Sequence, residues 1–337
     1  MVDSASRMIL GNDKTMADMI CVDKNYSTAR LLTREQPVIE NKPEDKFESV
    51  HFLPEGEGRQ GEGGLRSQGY FKLSHTDKPL ITVVTVVFNG EQFLEETILS
   101  VINQVYDNVE YIIIDGKSTD GSLDILKKHE HAIDYWVSEK DGGIFAAMNK
   151  GAQAALGDYV FFLNAGDHFY STSTLIDIFS FNGMWREGNH TLIVGQVMLT
   201  LDNEEFGLAN RVGINIPHQG AFVKRSVFSK IKFDENINIF GDAVFWQLMR
   251  NSSIFIPILI DNIVARFPMD GVGSSPEYIW KRFYESKKLL LANNDYMTVF
   301  RRFVMSSIGY GIYKLFGKVF YFKFYIKIIN YLVKNRG

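Results

Sequence analysis

The 337 residues are 45% hydrophobic and 23% charged, with 28 Gly, 8 Pro and a net charge of −4, a profile that excludes collagen-like, disulfide-scaffold and wholly disordered chains. The length holds one large domain with appendages, or two domains, and either can bury a sizeable core. The single Cys21 cannot form an internal disulfide, and the first thirty residues contain no apolar stretch of signal-peptide length, so a reducing cytoplasm is the expected compartment.

The charge is unevenly spread. Residues 296–337 carry eight basic and no acidic residues, so the net −4 resolves into −12 over residues 1–295 and +8 beyond. An acidic body argues against nucleic-acid binding, which draws most of its affinity from Lys and Arg contacts to phosphate.

In chain order, residues 1–78 are polar and weakly periodic. Between 54 and 72, Gly56, Gly58, Gly61, Gly63, Gly64 and Gly69 stand among alternating charges, and no packed core is expected from such a stretch. The expectation is a flexible or surface-draped N-terminal extension.

From Pro79 the texture changes. ITVVTVVF (81–88) reads as a strand, Leu94, Ile98, Val101, Ile102 and Val105 fall on one face of a helix, and VEYIIID (109–115) reads as a second strand. IDYW (133–136), a helical segment at 144–156 and YVFFL (159–163) continue the alternation. Val and Ile runs separated by helices predict an α/β fold, a mostly parallel sheet covered on both faces, with ligands at the carboxyl ends of its strands. A strand at 191–199, a short helix at 242–250, a strand at 254–260 and a longer helix at 276–292 complete the same domain, spanning 79–295.

Two strand ends carry chemistry-bearing residues. Phe88 offers an apolar wall for a flat ring, and Asp115 can accept hydrogen bonds from a base N–H or a ribose hydroxyl. An Asp in that position also serves as a helix cap. The next block, DGGIFAAMNKGAQAALGDYVFFLNAGD (141–167), places Gly143, Ala147, Asn149, Gly151, Ala155, Gly157, Phe162 and Asp167 in one ordered array. Small residues three or four apart let a helix backbone approach its neighbour closely.

On these residues the stretch 79–167 resembles the nucleotide-binding half of family-2 glycosyltransferases of the GT-A fold, a Rossmann-like architecture, with weaker likeness to about residue 275. In such enzymes the fourth strand usually ends in Asp-x-Asp, whose carboxylates hold a divalent cation. Here the run is Asn164, Ala165, Gly166, Asp167. Mg²⁺ and Mn²⁺ favour hard oxygen ligands and are often held by one or two carboxylates with phosphate and water completing the shell, so Asp167 is the expected metal ligand with Asn164 beside it. The resemblance implies nucleotide-sugar-binding roles for Phe88, Asp115, Asp141, Asn149, Asn164 and His218, the last within PHQGAF (217–222). It matches Asp242 to the acceptor-side base that removes a hydroxyl proton in inverting transfer. Asp242 also makes a good helix start. The short GVGSS run (271–275) resembles the family's loop beside the acceptor cleft. Lys117 stands where similar proteins have Gly or Ser, and Phe145 and Ala146 stand where they read Tyr and Asp.

The tail, 296–337, is aromatic and basic, and its longest uncharged run is the eleven residues 303–313, too short to span a bilayer. On a helix, Lys323, Lys327, Asn330 and Lys334 form a polar stripe while Phe320, Phe322, Phe324, Tyr325, Ile328, Ile329 and Leu332 cover the rest, as in a helix lying in a membrane interface. The combined expectation is a metal-dependent, inverting glycosyltransferase of bacterial polysaccharide assembly. Its donor would be a nucleotide-diphosphate sugar, its acceptor a lipid-linked or oligosaccharide glycan, and its seat the inner face of the cell membrane. The alternative is a transferase-like scaffold in which the departures at Lys117, Ala146 and Asn164 have removed catalysis.

Overall fold

The computed structural model describes residues 19–46, 48–179, 184–186, 188–202, 204–209, 216–269, 275–292 and 296–334. Short strands β1 (Leu32–Thr33), β2 (Gly61–Gly63) and β3 (Phe71–Lys72) come first. They are followed by β4 (Ile81–Val87), α1 (Leu94–Ile102), β5 (Val109–Asp115), α2 (Ser122–His129), β6 (Tyr135–Ser138), α3 (Ile144–Ala154) and β7 (Tyr159–Phe162). Beyond these lie β8 (His168–Phe169), α4 (Thr174–Phe179), β9 (Leu192–Leu201), β10 (Glu204–Leu208), β11 (Ala221–Lys224), α5 (Gly241–Arg250) and β12 (Pro257–Pro268). Two helices close the chain, α6 (Ile279–Ala292) and α7 (Tyr296–Lys334).

The main sheet has the order β2-β6-β5-β4-β7-β11-β9-β12-β8, with β10 paired to β9. Its centre, β6-β5-β4-β7, is parallel, and every residue of β4 and β5 is buried. Continuous Val and Ile runs are what such doubly covered strands require. Helices on both faces complete the expected α/β architecture. One face buries Ile98, Val101 and Ile102 of α1 against β4 and β5, and the other buries Met148 and Ala152 of α3. Gly151 lies so close over Val84 that a side chain there has no room, which is the close approach expected from the small-residue spacing. β11 runs antiparallel to both β7 and β9, so its amino end meets the carboxyl end of β7.

The expectation that 54–72 adds nothing to a packed core is corrected. β2 pairs antiparallel with β6 as an edge strand of the main sheet. Leu53, Leu65 and Phe71 are buried, as are Arg66 and Lys72. Arg66 and Glu110 of β5 form an ion pair at 2.6 Å with each side chain 2% exposed, and Arg66 also donates to the carbonyls of His51 and Ala154. Glycines supply a strand here because the partner is large: Gly61 and Gly63 lie against the Trp136 ring, leaving no space for a Cβ.

The strand expected at 254–260 starts instead at Pro257 and runs through polar residues to Pro268. Val264 and Ala265 in its second half are both buried, and register shifts interrupt its pairing with β9 between Leu259 and Ala265, so the apolar run marks only its first part. α7 is broken at Gly317, whose φ of 81° is non-helical. Beyond the break Tyr321 and Phe322 are buried with Leu201, Met269 and Ile279, whereas Leu315, Phe316, Val319 and Phe320 are exposed. Phe322, expected on an outward apolar face, therefore points into the body. No helix among the described residues is long and apolar enough to cross a membrane.

Candidate active site

Most candidate side chains gather around the carboxyl end of the parallel strands, where such folds place their ligands. Phe88, directly after β4, is 67% exposed. The neighbouring turns brace each other: Asn89 N–H donates to Ser118 Oγ at 2.7 Å, Thr119 N–H donates to Asn89 Oδ1 at 2.9 Å, and Gly90 N–H donates to Ser122 Oγ at 3.0 Å.

Asp115, the last residue of β5, is fully buried. Its Oδ2 accepts from Ser118 N–H at 3.0 Å and from Ser138 Oγ at 2.6 Å, and its Oδ1 accepts from Ser118 Oγ. Asp115 thus organises the turn that follows β5. Gly116 and Lys117, which that turn presents, are half-buried. Asp141 Oδ1 accepts from Gly143 N–H at 2.8 Å at the start of α3, and its Oδ2 lies 2.8 Å from where a Cβ on Gly116 would stand. Burial pushes the Asp141 carboxyl above its ordinary value, with the Gly143 N–H and Lys150 opposing.

Two strands away, the turn after β7 carries Asn164 and Asp167. Asn164 Nδ2 donates to His218 Nε2 at 3.1 Å, and His218 Nδ1 lies 3.6 Å from Asp242 Oδ2. Gln219 Nε2 donates to Asp167 Oδ2 at 3.2 Å. The sheet explains the meeting, since His218 and Gln219 form the 3-10 turn that leads into β11, beside the end of β7. Asp242 enters from the first turn of α5, where the helix dipole favours a carboxylate. Phe145 fixes that helix start, its ring filling the space a side chain on Gly241 would need and stacking on Phe233 at 5.6 Å.

Asp167 is 4% exposed. Burial pushes its carboxyl up to about 6, while His218 and the Gln219 amide pull the other way. A nearby cation relieves such a penalty. Asn164 Oδ1 is buried and has no hydrogen-bond partner among the described residues, so two oxygen donors stand at this turn. The set fits a hard divalent cation. No group of three or more His, Cys, Asp or Glu side chains able to hold a metal occurs among the described residues, so phosphate and water oxygens must complete any such shell.

Asn149 is tied to the loop that faces α3. Its amide donates to Phe233 O at 3.0 Å and Glu235 Oε1 at 2.8 Å, and its Oδ1 accepts from Phe233 N–H at 3.0 Å. It pins the loop after residue 231 to α3. A cavity of about 410 Å³ lies between them, lined by Glu57, Asp141, Ala146, Lys150, Lys232 and Glu235 among others.

The structure brings Asn164, Asp167, His218 and Asp242 together and keeps Asp115 and Asp141 as a second group across β4, with Phe88 at the tip of β4 between them. Gln219 stood in the PHQGAF motif, in which the resemblance puts a His or Gln near the donor sugar or metal, but only His218 was given a role. Sequence reasoning missed Ser118, Ser138 and Glu139. Ser118 bonds Asp115 from three residues away, so that spacing was the available signal, whereas Ser138 and Glu139 take their roles from strands meeting in space. Of the glycine-serine loop expected at 271–275, residues 271–274 lie outside the described residues, and Ser275 is buried.

Comparisons with known proteins point one way. The family model "Glycosyl transferase family 2" matches residues 82–254. An uncharacterized glycosyltransferase of Mycobacterium tuberculosis is 32% identical over 216 residues, covering 60% of this chain and 80% of that protein. The Bacillus subtilis protein TuaG, whose name places it in teichuronic acid biosynthesis, is 39% identical over 93 residues, covering 27% of this chain and 37% of TuaG. In fold the chain is similar to the mannosyltransferase PcManGT of Pyrobaculum calidifontis in complex with GDP-Man and Mn²⁺. The TM-score is 0.50 at 16% identity, over 62% of each chain.

Proposed function

The chain belongs to glycosyl transferase family 2, and from that premise we propose an inverting transfer of a sugar from a nucleotide-diphosphate sugar to a hydroxyl of a lipid-linked glycan. The observation that carries the reading is the His218 bridge, which joins Asn164 of the Asp167 turn to Asp242 within one cluster. Asp242 takes the acceptor proton as the hydroxyl attacks the anomeric carbon opposite the leaving group. His218, with Nε2 accepting from Asn164, turns its Nδ1–H toward the Asp242 carboxylate 3.6 Å away, and the Ala243 N–H donates to Asp242 Oδ1 at 2.8 Å. Asp141, Gly116 and Phe88 border the nucleoside end, and Asp115 shapes that end through Ser118 and Ser138.

Asp167 and Asn164 would hold Mg²⁺ or Mn²⁺, which when bound offsets the charge developing on the departing diphosphate. A metal-bearing neighbour of the same fold supports this.

The acceptor reading rests on the tail. At the Gly317 break Leu315 is 78% exposed and Phe316, Val319 and Phe320 are exposed with it, flanked by Lys314 and Lys318. Apolar side chains framed by cations suit an anionic lipid surface, and a base facing a membrane-held glycan needs the body seated there. The side chains of Lys327, Asn330 and Lys334, part of the expected stripe, lie outside the described residues.

The test is release of nucleoside diphosphate from a panel of UDP-, GDP- and dTDP-sugars carrying labelled sugar, with and without bacterial membranes as acceptor source. Membrane-dependent release from one donor, with label recovered in the lipid phase, is the expected result. No release from any donor would end the transfer reading.

A further inference from the structure

The Gly-rich segment ahead of β2 lies outside the residues matched by the family model, yet it runs along the nucleoside end of the site. Pairing forces this. Gly61 sits opposite Ser138, the last residue of β6, so the residues before Gly61 emerge at the strand tips. Three hydrogen bonds hold them there. Gln60 N–H donates to Ser138 O at 2.8 Å, Gly56 N–H to Glu139 Oε2 at 3.0 Å, and Lys140 N–H to Glu57 O at 3.2 Å. Glu139 is the anchor, 2% exposed and paired with Arg59 at 2.7 Å and Lys150 at 2.6 Å.

Lys117 rests on this segment. A Cβ built on Gly58 would stand 2.5 Å from Lys117 Nζ, so the ammonium lies against the Gly58 backbone. Lys117 itself has a φ of 67°, a left-handed conformation that costs a residue with a side chain about 1–2 kcal/mol. Strain of this kind persists where surrounding structure enforces it, and it gathers at ligand sites. The half-buried Lys117 makes no ion pair among the described residues, so its donors face no carboxylate.

Its place along the sheet says which part of a donor it meets. β5 and β7 are separated by β4 alone, which puts the turn of Lys117 about 10 Å from that of Asn164 and Asp167 at ordinary strand spacing. With phosphates at the Asp167 end, a nucleoside diphosphate reaches Lys117 with its base. We propose that Lys117, seated on Gly58, donates a hydrogen bond to a ring carbonyl of the donor base. Uracil, thymine and guanine offer a ring carbonyl to this ammonium, whereas adenine offers only ring nitrogens and an amino group there, so the site favours keto bases over adenine, and residues 55–60 form part of the donor site. This rests on the donor-site reading above and adds to it a base-selecting residue backed by a segment outside the matched domain.

The experiment is calorimetric titration of the full chain with UDP, GDP, dTDP, ADP and inorganic pyrophosphate, each with Mn²⁺, on the wild type, Lys117→Met and Gly58→Ala. The wild type should favour a keto-base nucleotide over ADP. Lys117→Met should weaken that nucleotide about tenfold, the size of one charge-assisted hydrogen bond, while ADP and pyrophosphate change less than about twofold. Gly58→Ala, whose methyl displaces the ammonium, should move the same ratio in the same direction, with melting temperature reporting that the fold is kept. Equal affinity of the wild type for ADP and the keto nucleotides overturns the proposal, as does a uniform loss that includes pyrophosphate. A wild type that binds pyrophosphate but no nucleotide also overturns it. Binding of none of the five removes the donor-site reading itself, and the proposal with it.

Discussion

His218 Nδ1 stands 3.6 Å from Asp242 Oδ2 while its Nε2 is 3.1 Å from the Asn164 amide, so one imidazole lies between Asp242 and the turn that bears Asp167. Asp242→Asn should lower kcat by about 10²- to 10⁴-fold, the range for a positioned general base, with donor affinity nearly unchanged. His218→Ala should cost less, because it removes a neighbour of Asp242 and leaves the carboxylate in place. Normal turnover in Asp242→Asn, measured in the nucleoside diphosphate release assay, would end the assignment.

Asp167 gives a pH signature without substrate. Its carboxyl ionises near its ordinary 3.8 when unfolded and at about 6 when folded. A raised folded value means that the folded state holds the proton more tightly, so stability falls as pH rises from about 3.8 to about 6 and the deficit is complete above. Metal-free Asp167→Asn should therefore melt higher than wild type at pH 7.5, by at most roughly 3 kcal/mol of stability. The two should converge near pH 4. Thermal melts across that range check it, and a variant less stable at pH 7.5 would contradict the burial cause.

Arg66 and Glu110 bury opposite charges at 2.6 Å. Removing one partner of such a pair costs about 3–5 kcal/mol because the other charge is left buried alone. Arg66→Met should lower the urea midpoint accordingly, and adding Glu110→Gln should recover part of the loss. The same pair predicts that a chain starting at residue 79 does not fold. A soluble, cooperative 79–337 fragment would contradict the role given to the extension.

At the Gly317 break, Lys314 and Lys318 flank exposed Leu315 and Phe316. Each cation near an anionic bilayer contributes about 1 kcal/mol. Lys314→Glu with Lys318→Glu should lower sedimentation with phosphatidylglycerol vesicles more than tenfold, and Leu315→Glu should act in the same sense. These side chains are outside the buried cluster of Tyr321 and Phe322, so the melting temperature should hold. Unchanged sedimentation would remove the membrane reading.

How much of this was legible in the sequence depended on whether the signal was local. β4, β5 and β7 were legible because strands buried on both faces are mostly runs of Val, Ile and aromatic residues, and Asp115, Asp167 and Asp242 were legible as acids at element ends. β2 was hidden because Gly-Glu-Gly looks like linker until Trp136 is placed against it. β11 was hidden because it is four residues long and its first two belong to the PHQGAF motif, and α2 because SLDILKKH is short and polar. The partners of Asp115 and Asp167 needed the sheet order, since Ser138 and Gln219 come from distant strands. Asn149, read as a donor contact, has its donors and acceptor engaged by Phe233 and Glu235, a contact 84 residues away that no spacing announces.

The most direct test is calorimetric titration of the wild type with UDP, GDP and dTDP, each with and without Mn²⁺, repeated on Asp167→Asn. Binding of one nucleotide that needs the cation and is lost in the variant is the predicted result. Binding of a nucleotide with equal strength in both proteins, or without regard to the cation, would contradict a donor site built on Asp167 and Asn164.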